Sequence, residues 1–204
     1  MTWTDPLATA FETGDVLTEA NLSTYVLNNL LSIPHPLEAP TTADLDVNTT
    51  TTETTLYSVT VGANKMGSNG QVVMDVEGDW LYNNNTADTM TLRVKFGGIA
   101  SIIGAQTLGS LSASRVPYVL RITVSNKGAT NAQLISLTML SSDAGAGTGI
   151  GQWHGGSAEG GAMQTTAAID TTVNQTLLIS VQWSASSAND SWRRRWARTT
   201  IAQN

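Results

Sequence analysis

The chain contains no cysteine, which excludes a disulfide framework, a thiolate metal site and a thiol nucleophile. Charge is scarce: Asp, Glu, Lys and Arg make up 13% of the 204 residues, about half the share usual in a soluble domain. Basic residues are missing from the first third. Residues 1–64 hold eight acids (Asp5, Glu12, Asp15, Glu19, Glu38, Asp44, Asp46 and Glu53) and no Lys or Arg. The remainder carries the other eight acids and all ten basic residues, a net of +2 within a chain of net charge −6. With no broad basic footprint, neither nucleic acid nor an anionic membrane is expected as a partner. No apolar run approaches the roughly 18 residues of a membrane span. The opening MTWTDPLATAF lacks the basic stretch and unbroken apolar core of a secretory leader. The reading is therefore a protein made in the cytoplasm that leaves only by lysis or by joining a larger particle.

Groups for catalysis are equally sparse. Of the two histidines, His35 sits between Pro34 and Pro36, and His154 sits in a glycine-rich stretch. Neither lies near a nucleophile motif or at HExxH spacing. Sixteen acids could include a hydrolytic pair, but no motif marks one. No catalytic residue, metal ligand or cofactor site is expected, and the chain reads as a non-enzyme.

Ser, Thr, Asn and Gly fill the space that charge leaves. Within them one helical signal stands out, Gly14 to Ile33, GDVLTEANLSTYVLNNLLSI. Thr18 is a good N-cap with Asn21 at N3, and Leu17 and Leu22 can staple the first turn. The helix is expected over about 19–32, with Leu22, Val26, Asn29 and Leu30 on one face and Tyr25 and Leu27 beside it. Pro34 and Pro36 stop it. So short a helix is marginal alone in water, so its apolar side needs a partner. Leu17, Leu22, Val26, Leu30 and Leu31 are the candidate anchoring contacts. The following EAPTTADLDVNTTTTETT (38–55) reads as an extended linker or weakly structured arm. The expected organisation is an anchoring segment with a Thr-rich linker over 1–53 and a β domain over 54–204.

From residue 54 the periodicity becomes two. TLYSVTV (55–61), QVVMDVEGDWLYN (71–83), TMTLRVKF (89–96), VPYVLRITVSN (116–126), AQLISLTML (132–140), TAAIDTTV (166–173), TLLISVQWSA (176–185) and DSWRRRWARTTIA (190–202) read as strands. GSNG, YNNNTAD, SNKGATN and SASSAND are turn signals between them. Short strands at this spacing indicate a mainly β chain, an antiparallel β-sandwich or jelly roll, preceded by the short helix and extended arm.

Four features invite functional readings. AGAGTGIGQWHGGSAEGGA (144–162) lacks the context of a phosphate loop and reads as a long loop, with Trp153 and His154 as a candidate recognition pair. Asp75, Glu77 and Asp79 share one strand face. They could attract Ca²⁺, although no second acidic cluster completes a site, and a solvent-facing stripe is the simpler reading. In SWRRRWAR, strict strand period places Trp192, Arg194, Trp196 and Arg198 together as an inter-subunit ladder. The same run could instead pair with the acidic N-terminal arm. Trp80, Tyr82, Trp153 and Trp183 could offer a sugar-stacking platform, which makes a carbohydrate-binding module the alternative reading.

The segment 14–33 resembles the GDVLT-A-LN-Y-N-L openings of bacteriophage tail, fibre and decoration proteins. The stretches 53–98, 128–140 and 171–197, the last containing QWSAS, are similar to structural domains of phage virions. That resemblance implies a jelly-roll head, commonly trimeric, on a capsid or tail, with other virion proteins and a host-surface glycan as partners. It implies no catalytic or binding residue. The chain has no shaft region, so a compact decoration protein, head fibre or tail knob fits its length.

Overall fold

A computed structural model describes residues 33–83, 88–107, 112–142, 150–152 and 164–203. The expected helix over 19–32, its anchoring residues Leu17, Leu22, Val26, Leu30 and Leu31, and the pair Trp153 and His154 lie outside the described residues.

The described chain is mainly β, and no helix occurs among the described residues. The strands are β1 (His35–Pro36), β2 (Leu45–Asn48), β3 (Thr54–Val61), β4 (Gln71–Tyr82), β5 (Thr89–Phe96) and β6 (Ile99–Thr107), then β7 (Ser112–Asn126), β8 (Gln133–Ser142), β9 (Ile150–Gln152), β10 (Gln164–Ala167), β11 (Gln175–Trp183) and β12 (Asp190–Ala202). They form two antiparallel sheets. The larger runs β1-β12-β4-β7-β8-β10, with β2 also on β12 and β9 on β8; the smaller runs β3-β11-β5-β6.

Alternation explains why the two sheets face each other. On β5, Met90, Leu92, Val94 and Phe96 are all buried while Thr91, Arg93 and Lys95 stay half-exposed, as the period-two reading expects. They join Leu177, Ile179 and Val181 of β11, together with Val72, Met74 and Val76 of β4 and Leu120, Ile122 and Val124 of β7, in one core. The architecture is a β-sandwich.

Strand β6 and the turn before it are absent from the period-two reading. Phe96 pairs directly with Ile99, so Gly97 and Gly98 form a two-residue hairpin loop with φ of 60° and 78°. Two positive φ values in succession are what a primed turn requires, and glycine reaches them without strain.

The loops at one end of the sandwich are tied by buried amides. Asn126 donates to the Gly67 carbonyl at 2.6 Å, and Gln133 donates to Asn126 at 2.8 Å while accepting from the Ile169 amide. Each of these buried groups is satisfied, so the network fixes the loops without a desolvation penalty.

Candidate interaction surface

Strand β12 carries most of the unusual chemistry. Its outer neighbour is the segment expected to be a linker. His35 pairs with Ile201, Thr41 with Ala197, and Leu45–Asn48 with Ser191–Arg194. The arm is extended, as read, but it lies along nearly the whole of β12 and belongs to the larger sheet. The division expected between residues 53 and 54 falls between β2 and β3.

Alternation within LDVN gives the reason. Val47 points inward and is 2% exposed, and its carbonyl accepts from the buried Trp183 Nε1 at 3.2 Å. Asp46 points outward to Arg193 at 2.7 Å and Arg115 at 3.4 Å, while Asp44 reaches Arg195 at 3.5 Å. Farther back, Tyr57 donates to Glu38. Burial first, and then this carboxylate, push the Tyr57 hydroxyl up to about 12. The acidic arm thus meets the arginine-rich strand.

The arginines do not form the ladder that strict alternation predicts. Register on β4 shifts between Arg194 and Trp196, so Arg195 is an extra, bulged residue. A bulge reverses the alternation on either side of it. Trp192 and Arg194 therefore face the core, whereas Trp196 and Arg198 face outward, opposite Glu77 and Asp75. Trp192 is 1% exposed and packs on Tyr118 with ring centroids 4.3 Å apart. It has no surface to offer another subunit. Arg198 stacks over Trp196 at 5.2 Å.

Opposite the bulge stands Gly78. A Cβ there would lie 1.9 Å from the Arg193 carbonyl oxygen and 2.7 Å from the Tyr118 hydroxyl. The missing side chain lets Tyr118 reach across β4 and donate to that carbonyl at 3.1 Å. Glycine within a strand commonly marks such close approach.

A second bulge lies on β3. Ile179 pairs with Tyr57 and Ser180 with Thr55, which leaves Leu56 unpaired and turned into the core at 0% exposure. Arg194 bridges the two irregularities. Its Nη1 donates to the Leu56 carbonyl at 2.6 Å and its Nη2 to the Ala43 carbonyl at 2.9 Å. One guanidinium therefore joins β12, the facing sheet and the arm.

Asp75, Glu77 and Asp79 share the outward face of β4, as expected, but two of them are not a solvent-facing stripe. Asp75 and Asp79 are 6% and 7% exposed. Asp75 lies between Arg121 at 2.7 Å and Arg198 at 3.4 Å, and Asp79 between Arg115 at 2.6 Å and Arg195. Burial pushes the Asp79 carboxyl up, but hydrogen bonds from Arg195 and Arg115 outweigh it and hold it below its ordinary value. These carboxylates are committed to arginine. Among the described residues, no group of three or more His, Asp or Glu is placed to hold a metal ion, and no helix is long and apolar enough to cross a membrane.

Register extends this face into rows. Trp196, Glu77, Val119 and Leu140 stand opposite one another in turn across β12, β4, β7 and β8. Val119 and Leu140 are 41% and 39% exposed, and Glu77 is exposed as well. The next row is Arg198, Asp75, Arg121 and Thr138. The outward side of the smaller sheet differs. There Ser58, Thr60, Thr176 and Lys95 surround Leu178, and Glu53 pairs with Lys95 at 2.5 Å. No protein-family model matches the chain, and no curated protein matches it.

Proposed function

We propose that this chain is a non-enzymatic structural component of a tailed-phage or phage-like particle. It is held by its N-terminal segment and presents a homo-oligomeric, trimeric β head as a decoration, head fibre or tail knob. The observation that carries this reading is the clamped arm. Residues 35–48 are paired along β12 and cross-linked to it by Asp46–Arg193 and Asp44–Arg195, so the chain leads back from the head through an exposed Ile33 at one sheet edge. The amphipathic, base-free segment before it then acts as a handle whose exit point is set by the head.

The strand order supports a jelly roll. Setting aside β1 and the β8–β10 additions, β2-β12-β4-β7 faces β3-β11-β5-β6. Successive strands β2 through β7 alternate between sheets as two interleaved Greek keys would, save for the β5–β6 hairpin. A head of this kind occurs in viral capsid proteins and in lectins, and the resemblance of residues 14–33 to phage openings favours the first.

The test is incorporation. Val26→Asp with Leu30→Asp removes the apolar face of the handle. The double variant is expected to keep the β head folded, by circular dichroism and urea midpoint, and to be missing from purified particles. Normal incorporation would refute the anchor.

A further inference from the structure

The arm along β12 ends in a backbone outlier. Thr49, the residue after β2, has a φ of 48°. A β-branched side chain is disfavoured in this left-handed region because its branch crowds the adjoining carbonyl, a cost glycine would not bear. Thr49 is exposed, so packing of its side chain does not compensate. The conformation is imposed by the turn, where the Thr49 amide is held on the Ser187 carbonyl at 3.2 Å. Strain of this kind gathers at the switch points of a fold. Here it lies in residues 49–53, which join the arm to β3 in the opposite sheet.

The arm has no fold of its own. Its strand pairing is with β12. Its side chains close on the head too, with Val47 in the core, Asp46 on Arg193 and Arg115, Asp44 on Arg195 and Glu38 on Tyr57. The arm of another molecule can make each of these contacts equally well, so an in-chain arm and an exchanged arm differ chiefly at the hinge. The in-chain position needs Thr49 left-handed to turn from β2 into β3. An exchanged arm leaves through an opened 49–53, which spans about 17 Å when extended and frees Thr49 to take a negative φ. The sheet faces supply little else for self-association. The larger offers one exposed apolar pair, Val119 and Leu140, and the smaller is mostly polar.

We infer that residues 35–48 are exchanged between copies of this chain, each arm lying on the β12 of the next molecule, with Thr49 as the strained hinge that favours exchange. Passed round in one direction, the arms close a ring. The inference rests on the reading above for the number of copies and names the contact that holds them. It is measured on purified chain without any particle, so the two readings fail separately.

The cysteine-free chain allows a direct test. Asp46 and Arg193 are cross-strand partners, and a disulfide accepts the Cα spacing of such partners, about 4.5–5.5 Å. The full chain carrying Asp46→Cys and Arg193→Cys is purified, oxidised and run on a non-reducing gel. Exchange predicts covalent dimers and trimers. Internally bonded single chains alone would overturn it, and sedimentation equilibrium of the same sample separates the causes. A trimer of internally bonded chains overturns exchange and leaves the trimer standing, whereas a monomer overturns both. Thr49→Gly, which removes the strain of the closed hinge, is expected to weaken association about tenfold per chain. Thr49→Pro, whose ring excludes a positive φ, is expected to strengthen it. If the cysteine pair loosens the arm by removing its ion pair, the two Thr49 variants still decide, since equal association in both overturns the hinge.

Discussion

Arg194 is where the head, the facing sheet and the arm are held together, and removing its guanidinium should be felt in all three. In Arg194→Met the stem that packs along the core edge is kept, but the Leu56 and Ala43 carbonyls lose their donors. A charge-assisted hydrogen bond contributes about 1.5–3 kcal/mol. The guanidinium is half-buried, which places each bond near the lower value, so the pair should be worth about 3 kcal/mol. Arg194→Lys can serve one carbonyl at most, since a single ammonium cannot span both, and should cost about half as much. With a urea slope of about 2 kcal/mol/M, the Met variant should unfold about 1.5 M earlier and the Lys variant about half that shift. The second readout is local. The arm contains no trypsin site, so thermolysin is the suitable probe, and cleavage near Leu45 and Val47 should accelerate in the Met variant. A Met variant within about 0.5 kcal/mol of wild type, with the arm equally protected, would refute the reasoning.

Other outcomes follow from the same geometry. Gly78→Ala drives a methyl into the Arg193 carbonyl. It should cost about 3 kcal/mol or more, read as a lowered urea midpoint, and a neutral result would mean the bulge has room to move. Glu53 is held below its ordinary value of 4.5, chiefly by Lys95 and Ser180, and Asp79 below 3.8 against the pull of burial. Both groups bind protons more readily when unfolded, so their stabilisation is present above these values and is lost as pH falls through the lower folded ones. Stability should therefore drop on acidification below about pH 4.5, more steeply in wild type than in Asp79→Asn. Tyr57 has the opposite sign. Its folded value of about 12 lies above the ordinary 10.0, so its contribution is intact below pH 10 and lost as pH rises toward 12. Absorbance titration should show a late-ionising tyrosine that Tyr57→Phe removes, while Tyr118, pushed up further by burial, stays protonated beyond it.

Much of the sandwich was legible because the core strands obey a simple period. TMTLRVKF and DSWRRRWARTTIA coincide with β5 and β12 at both ends, since each alternates or is bounded by clear turn residues. The arm was harder to read. Its pairing rests on one buried residue, Val47, and on backbone bonds that leave no trace in composition, and its charge partners lie far along the chain at Arg193 and Arg195. The charge asymmetry did hint at that docking. The reading of SWRRRWAR as one four-residue face failed because a single bulged residue inverts alternation beyond it. The glycine in DVEGDW, opposite that bulge, was the available signal. The face shared by Asp75, Glu77 and Asp79 could be read from spacing, but not the arginines that cover two of them, which arrive from β7 and β12. β6 was missed together with its turn, although the Gly97–Gly98 pair after Phe96 was the available signal for a two-residue hairpin.

Everything proposed for the handle and the head requires the chain to be part of a particle. Immunogold labelling of intact particles with antibody raised against residues 54–204 tests this directly. Label concentrated on the capsid or at the tail is the predicted result, and its location would separate a decoration or head fibre from a tail knob. Particles that contain no label, from cells in which the protein is abundant, would contradict the account.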